Sequence, residues 1–253
     1  MPIHDKSKGY HSGAMAYVAG RPGYPPEAVT WLREVLDLGP GRKALEVGAG
    51  TGKFIPILQQ TGCEIIALEP IPEMREQLVR THPDVLTLAG LADAIPLPDA
   101  SVHAVVCAQA FHWFATPAAV AEMRRVLVPG GVLGLIWNGR DEDVPWVAAL
   151  SEITNRREGD TPRYRTGTWR QAFPTPGLAP IGERHVRNSH VGTAEDVVLK
   201  RTLSVSFIAA LPSGERSKVE REVRRLIART PELADGKVVA FPYETSMYAY
   251  RRI

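Results

Sequence analysis

Apolar positions along the chain fall into short runs that alternate with stretches of helical periodicity. Ala28, Val29, Leu32, Val35 and Leu36 recur at helical spacing. Pro25, Pro26 and Glu27 before them suit a helix start, and Gly39-Pro40-Gly41 ends the run. Lys43 to Val47, Glu64 to Leu68, Val85 to Leu88, Val102 to Ala108 and Val132 to Trp137 read as strands. Between them, Phe54 to Gln60, Pro72 to Arg80 and Thr116 to Val128 read as helices, the last stopped by Pro129-Gly130-Gly131. Strands of continuous apolar character that alternate with helices predict a parallel sheet covered on both faces. The chain through residue 138 is therefore expected to form a doubly wound α/β sheet.

After Asn138 the pattern loosens. Residues 155–190 hold seven arginines against three acids, Glu158, Asp160 and Glu183. Thr193, with Glu195 and Asp196 close behind, predicts a helix start. Ser213 to Arg229 predicts a charged helix, and Lys237 to Tyr250 a final strand or hairpin arm that returns to the sheet.

Composition narrows the class. With 44% hydrophobic and 23% charged residues in 253, the chain has the make-up of a globular domain, not a disordered one. Its 22 Gly and 21 Pro exclude a long coiled coil. No apolar run reaches the ~18–20 residues of a membrane span, and the first residues lack the apolar stretch of a secretory signal. The net charge of +2 is too mild to argue for nucleic acid. Cys63 and Cys107 sit in apolar runs, not at metal-ligand spacing, so two reduced thiols, a cytoplasmic location and no metal are expected.

The segment Glu46-Val47-Gly48-Ala49-Gly50-Thr51-Gly52-Lys53 carries the chemistry. A dinucleotide fingerprint fails because Lys53 stands where its third glycine belongs, and a phosphate loop fails at Val47 and Phe54. An acid followed by glycines at alternate positions fits a cationic ligand instead. Glycine permits positive φ and close backbone approach, and Glu46 would attract a cation where it would repel a pyrophosphate. A plain strand–helix turn is the alternative.

Glu69 ends the second strand, 21 residues after Gly48, where an acid can accept from ribose hydroxyls. Ala92-Asp93 follows the third strand, where Asp93 can accept from an adenine amine or cap a helix. Gln109 follows the fourth strand.

This arrangement resembles the class I S-adenosylmethionine-dependent methyltransferases. Arg21-Pro22-Gly23-Tyr24-Pro25, the glycine turn, Glu69-Pro70, Gln109-Ala110-Phe111-His112-Trp113-Phe114 and Trp137-Asn138 are similar to their small-molecule branch of type 11 and trans-aconitate methyltransferase-like enzymes. Ala19 departs from relatives that often carry a charge there. The resemblance implies a mostly parallel, seven-stranded Rossmann-like sheet in a single domain over residues 1–253. Within it lie an N-terminal lid (1–25), a cofactor-binding core (26–138), a helical cap or substrate region (139–235) and a returning terminal strand (236–253). It implies S-adenosylmethionine as cofactor, S-adenosylhomocysteine as product, and O-, N- or C-methylation of a carboxylate-bearing or aromatic metabolite. Use of the cofactor as a sensor without turnover, or for another reaction such as cyclisation, stays open.

The cofactor residues so implied are Tyr17, Arg21, Glu46, Gly48, Gly50, Gly52, Glu69, Pro70, Ala92, Asp93 and Gln109. Arg21 could hold a carboxylate by a two-pronged hydrogen bond or be a surface turn residue, and Tyr17 could pack instead. Phe111, His112, Trp113 and Phe114 lie at a strand's carboxyl end, where open α/β sheets bind ligands. With Trp137, Trp146, Tyr164, Arg165 and Trp169 they are the expected acceptor wall. His112 is either a general base or a packed structural histidine. A sulfonium methyl group is already activated, so alignment at about 3–3.5 Å does most of the work and a carboxylate acceptor needs no base. The basic stretch 156–187 either draws in an anionic small molecule or is solvated surface, and the lack of a basic aromatic platform argues against RNA.

Overall fold

The computed structural model describes residues 22–234 and 237–253. Seven strands form one sheet in the order β3-β2-β1-β4-β5-β7-β6. They are β1 (Lys43–Val47), β2 (Glu64–Leu68), β3 (Leu86–Leu88), β4 (Val102–Ala108), β5 (Leu127–Arg140), β6 (Leu178–Thr193) and β7 (Val238–Arg252). β1 to β5 run parallel, and β7 pairs antiparallel with both β5 and β6. This is the doubly wound, mostly parallel seven-stranded sheet expected.

Alternate side chains of each strand feed opposite layers. Leu45, Ile66, Val105 and Leu133 pack on helix α4 (Pro117–Val126) through Val120 and Met123. Ala44, Ala67, Val106 and Val132 pack on α1 (Glu27–Glu34), α2 (Ile55–Gln59) and α3 (Pro72–Thr81) through Trp31, Leu58 and Leu78. Thr116 caps α4 by accepting from the Ala119 N–H at 3.2 Å. A third core lies over the start of β7. There Phe241 and Tyr243 meet α5 (Pro145–Asn155), a π-helical turn (Glu195–Lys200), the short helices α6 (Arg201–Leu203) and α7 (Ser206–Ala209), and α8 (Ser213–Arg229). Among the described residues no helix is long and apolar enough to cross a membrane.

One strand is absent from the sequence reading. β6 lies at the sheet edge with most of its residues exposed. The residues half-buried on alternate positions from Val186 on include Asn188, His190 and Gly192, so the apolar alternation of a half-buried strand is missing, and polar residues such as Glu183, Arg184 and Arg187 suit an edge. β5 also begins earlier than expected, because Leu127 pairs with Val102 before the register shifts at Ala104 and Val132.

Candidate functional site

Strand order reverses between β1 and β4, and a cleft opens beyond the carboxyl ends of both, where doubly wound sheets bind ligands. The glycine turn forms its floor. Gly48, Gly50 and Gly52 all have positive φ, at 72°, 59° and 84°. A Cβ on Gly48 would sit 2.8 Å from the Ala110 Cβ and 3.1 Å from a Phe114 ring carbon. A Cβ on Gly50 would meet only the Met74 sulfur, at 3.8 Å, among the described residues. Gly52 instead packs against His82, with a Cβ contact of 2.7 Å, and it does not line the cleft.

Two buried carboxyl groups line the cleft, together with Asp93, Lys53 and Arg201. Glu69 is 3% exposed and accepts from the Gly50 N–H at 2.7 Å and the Ile71 N–H at 2.9 Å. These bonds fix the side chain against the turn and use two of about four lone-pair positions on the carboxylate. Burial pushes its pKa up, while the Ile71 and Gly50 N–H groups and Arg75 pull it back. Glu46 is 1% exposed, and its Oε2 has no hydrogen-bond partner among the described residues. Burial, reinforced by the charge of Glu69, raises its pKa well above the usual carboxylate range. A buried acceptor without a partner is a cost that a cationic ligand beside it would offset.

The Glu46 shift has a definite sign. A carboxyl raised in the folded state keeps its proton where the unfolded chain has lost it. Its contribution is most favourable below the ordinary glutamate pKa of about 4.3 and is lost as pH rises through the raised folded value. Glu46→Gln is expected to flatten that slope and raise the melting temperature of the ligand-free protein at pH 7 by about 2–4 °C, the effect of about 1 kcal/mol in a chain of this size. Thermal melts from pH 5 to pH 8 measure both. Wild-type stability independent of pH over this range would contradict the assignment.

Pro70, Ala92, Asp93, Gln109, Trp113 and Phe114 also line the cleft. Gln109 takes a positive φ of 59°, a cost for a residue other than glycine, of the kind that clusters at functional sites. Its N–H bonds to the Ile136 carbonyl at 2.9 Å, and its Nε2 donates to the Asn138 carbonyl at 3.3 Å.

A second, more polar cavity lies beside the first, and Gln109, Trp113, Asn138 and Arg201 line both. His112, Tyr164 and Arg165 belong to the second cavity. The Nδ1 of His112 accepts from the Trp137 indole N–H at 3.1 Å. The neutral ring therefore carries its proton on Nε2 and acts there as a donor, which argues against the general-base role.

Phe111, Trp137, Trp146 and Trp169 line neither cavity. Trp137 stacks on Tyr164, with centroids 4.7 Å apart, and lies 4.8 Å from Trp169. Trp169 packs edge-on to Phe111, and Trp146 packs on Phe241. Their rings build the core beneath the site, because large apolar faces gain more from each other than from a polar cavity. Tyr17 and Arg21 lie outside the described residues.

Known proteins match this chain in sequence and in fold. A methyltransferase domain family model covers residues 45–135, the span from β1 to β5. An uncharacterized methyltransferase of Mycobacterium bovis is 40% identical over 241 residues, covering 95% of this chain and 94% of its own. The chain belongs to the class I S-adenosylmethionine-dependent methyltransferases. An uncharacterized methyltransferase-like protein of Schizosaccharomyces pombe is 38% identical over 96% of this chain and 94% of its own. Among solved structures, a candidate type II methyltransferase of Anaeromyxobacter dehalogenans superposes with a TM-score of 0.63 at 24% identity, over 91% of this chain and 96% of that one, a likeness of fold.

For this methyltransferase the cofactor fits the first cleft on the observations above: the partnerless Glu46 oxygen, the Gly48 surface without room for a Cβ, and the pinned Glu69. The motifs contained Tyr24, Thr51 and Asn138 without assigning them to the cleft, and Arg201 lay outside every motif. Tyr24 reaches the cleft because the carbonyl of Gly23 accepts from Asn138 at 3.1 Å and from Asn188 at 2.9 Å. Asn138 in turn accepts from Thr245 at 2.6 Å. Arg201 arrives from the helical region between β6 and β7. The hydroxyl of Thr51 is buried in the cleft wall without a partner among the described residues.

Proposed function

We propose that the methyltransferase methylates a small, carboxylate-bearing metabolite, with the cofactor in the cleft over the glycine turn and the acceptor in the adjoining polar cavity. The supporting observation is that the two cavities meet at Gln109, Trp113, Asn138 and Arg201. A protein that only sensed the cofactor would need no second chamber beside the first. S-adenosylmethionine, when bound, supplies a methyl group already activated on a sulfonium.

The chain's own residues bind and orient. Glu69 accepts from the ribose hydroxyls, and Glu46 lies beside the positive charge, whose arrival favours release of the proton that burial holds on its carboxyl. Asp93 faces the adenine end, and Gln109 borders the methionine end and the acceptor. His112 donates from Nε2 to an acceptor oxygen and takes no proton. An acceptor ionised at neutral pH suits that state, since no proton has to be removed before transfer. The aromatic-metabolite alternative keeps only part of its expected wall: Phe111, Trp137, Trp146 and Trp169 pack in the core, while Trp113 and Tyr164 line the polar cavity. O-methylation of a carboxylate fits this set better than N- or C-methylation.

Calorimetry with S-adenosylmethionine and with NAD tests the cofactor, and the expected result is binding of the first alone. Labelled S-adenosylmethionine mixed with a metabolite extract then tests turnover. A labelled, base-labile ester together with S-adenosylhomocysteine is the expected product. Other products of the cofactor would point to cyclisation, and NAD binding in its place would overturn the cofactor assignment.

A further inference from the structure

Hydrogen-bonded side chains link three adjacent strands to the segment that precedes α1. Asn138 of β5 stands opposite Thr245 of β7, and Thr245 stands opposite Val186 of β6 on its other side. Residues two apart on a strand share a face, so Asn188 joins Asn138 and Thr245 on one face of the sheet. The Thr245 hydroxyl donates to Asn138 Oδ1 at 2.6 Å, and Asn188 Nδ2 donates to the same oxygen at 3.2 Å. Two donors on Oδ1 turn the Nδ2 end of the Asn138 amide toward Gly23, whose carbonyl accepts from it at 3.1 Å. Asn188 Nδ2 reaches the same carbonyl at 2.9 Å, while its Oδ1 accepts from the Ser189 N–H at 2.8 Å.

Both ends of this network bear on the cofactor cleft. Gly23 lies between Pro22 and Tyr24, which line the cleft, and the Tyr24 ring packs edge-on to Phe54 with centroids 4.7 Å apart. Residues 22–25 belong to no helix or strand, so ordering them costs conformational entropy that the two bonds to the Gly23 carbonyl offset. At the other end Asn138 lines both cavities, and its backbone carbonyl accepts from Gln109 Nε2 at 3.3 Å. Gln109 keeps its positive φ of 59° only where the surrounding structure enforces it. Asn188 and Thr245 line neither cavity, and Thr245 is fully buried.

We infer that Asn188 and Thr245 are positioning residues for cofactor binding. Through Asn138 and the Gly23 carbonyl they hold Tyr24 and Gln109 around the amino-acid end of the cofactor, which rests on the placement of that end beside Gln109 in the proposed function. The two side chains act through others and touch no ligand themselves.

The test is calorimetry on the full chain with two ligands, S-adenosylhomocysteine and methylthioadenosine. The second keeps the adenosine and the sulfur and lacks the amino-acid portion. In Asn188→Ala and in Thr245→Val, S-adenosylhomocysteine is expected to bind about tenfold more weakly, the equivalent of roughly one hydrogen bond. Methylthioadenosine should bind both variants as it binds the unchanged protein. Asn188→Asp keeps the acceptor for the Ser189 N–H but sets a carboxylate oxygen against the Gly23 carbonyl and Asn138 Oδ1, so it should show the same selective loss. A residue that served only its own strand through Ser189 would leave that variant like wild type. Equal weakening of the two ligands, which a general loss of structure would give, or variants that bind S-adenosylhomocysteine as wild type does, would overturn the inference. Failure of the unchanged protein to bind S-adenosylhomocysteine would instead remove the methyltransferase reading of the cleft, and the inference with it.

Discussion

Glu69→Ala is expected to weaken S-adenosylmethionine binding by about 2–3 kcal/mol, roughly 30- to 150-fold in Kd, because hydrogen bonds to charged groups are worth about 1.5–3 kcal/mol. The carboxylate has two duties. It is the acceptor expected to face the ribose, and it holds the Gly50 and Ile71 N–H groups at 2.7 and 2.9 Å. Alanine removes both, so the turn loosens while the ligand loses its acceptor. Glu69→Gln keeps one acceptor oxygen and should fall between wild type and alanine. Calorimetric titration of the three proteins decides it. An unchanged Kd for Glu69→Ala would mean that the ribose lies elsewhere.

Gly48→Ala is expected to lower stability by about 3 kcal/mol, roughly 6–12 °C in Tm, and to abolish measurable cofactor binding. Two costs combine. A residue with a Cβ pays for the positive φ of 72°, and that Cβ meets the Ala110 Cβ at 2.8 Å. Alanine has no side-chain torsion with which to retreat. The other contact, Phe114, lines the cleft, so moving its ring alters the space open to a ligand. Gly130→Ala is the control. Gly130 has a φ of 77° with nothing within 4 Å of a built Cβ, so that variant bears the backbone cost alone, about 1 kcal/mol. Thermal melts of both variants separate conformational strain from contact. Equal losses would show that the close approach at Gly48 contributes nothing.

The parallel half of the fold was legible because its signals are local. The limits of β1, β2 and β4 match the sequence reading, since each strand is buried on both faces and bounded by turn residues. The same holds for much of the cofactor cleft. Gly48, Glu69 and Gln109 follow directly on strand ends, Glu46 lies at the end of β1, and Gly50 and Asp93 come three and five residues after a strand; strand order brings those ends to one place. A motif tied to a strand end therefore carries its own address.

The acceptor side had no such address. The aromatic run from Phe111 to Phe114 divides between core and cavity: Phe111 is fully buried, while Trp113 and Phe114 line the cleft. Chain position alone cannot separate neighbouring rings that turn to opposite sides. The tautomer of the neutral His112 ring follows from Trp137, 25 residues away. Arg140 and Tyr243 become neighbours only through the antiparallel register of β5 and β7, and Arg201 enters from the helical region before β7. By itself the sequence determined the parallel core, the glycine turn and the acids that face it, because period, turn chemistry and strand ends are short-range properties. Tertiary structure alone decided the edge strand β6, the burial of Trp137 and Trp169, and the lining of the polar cavity, because each depends on which distant segments pack together.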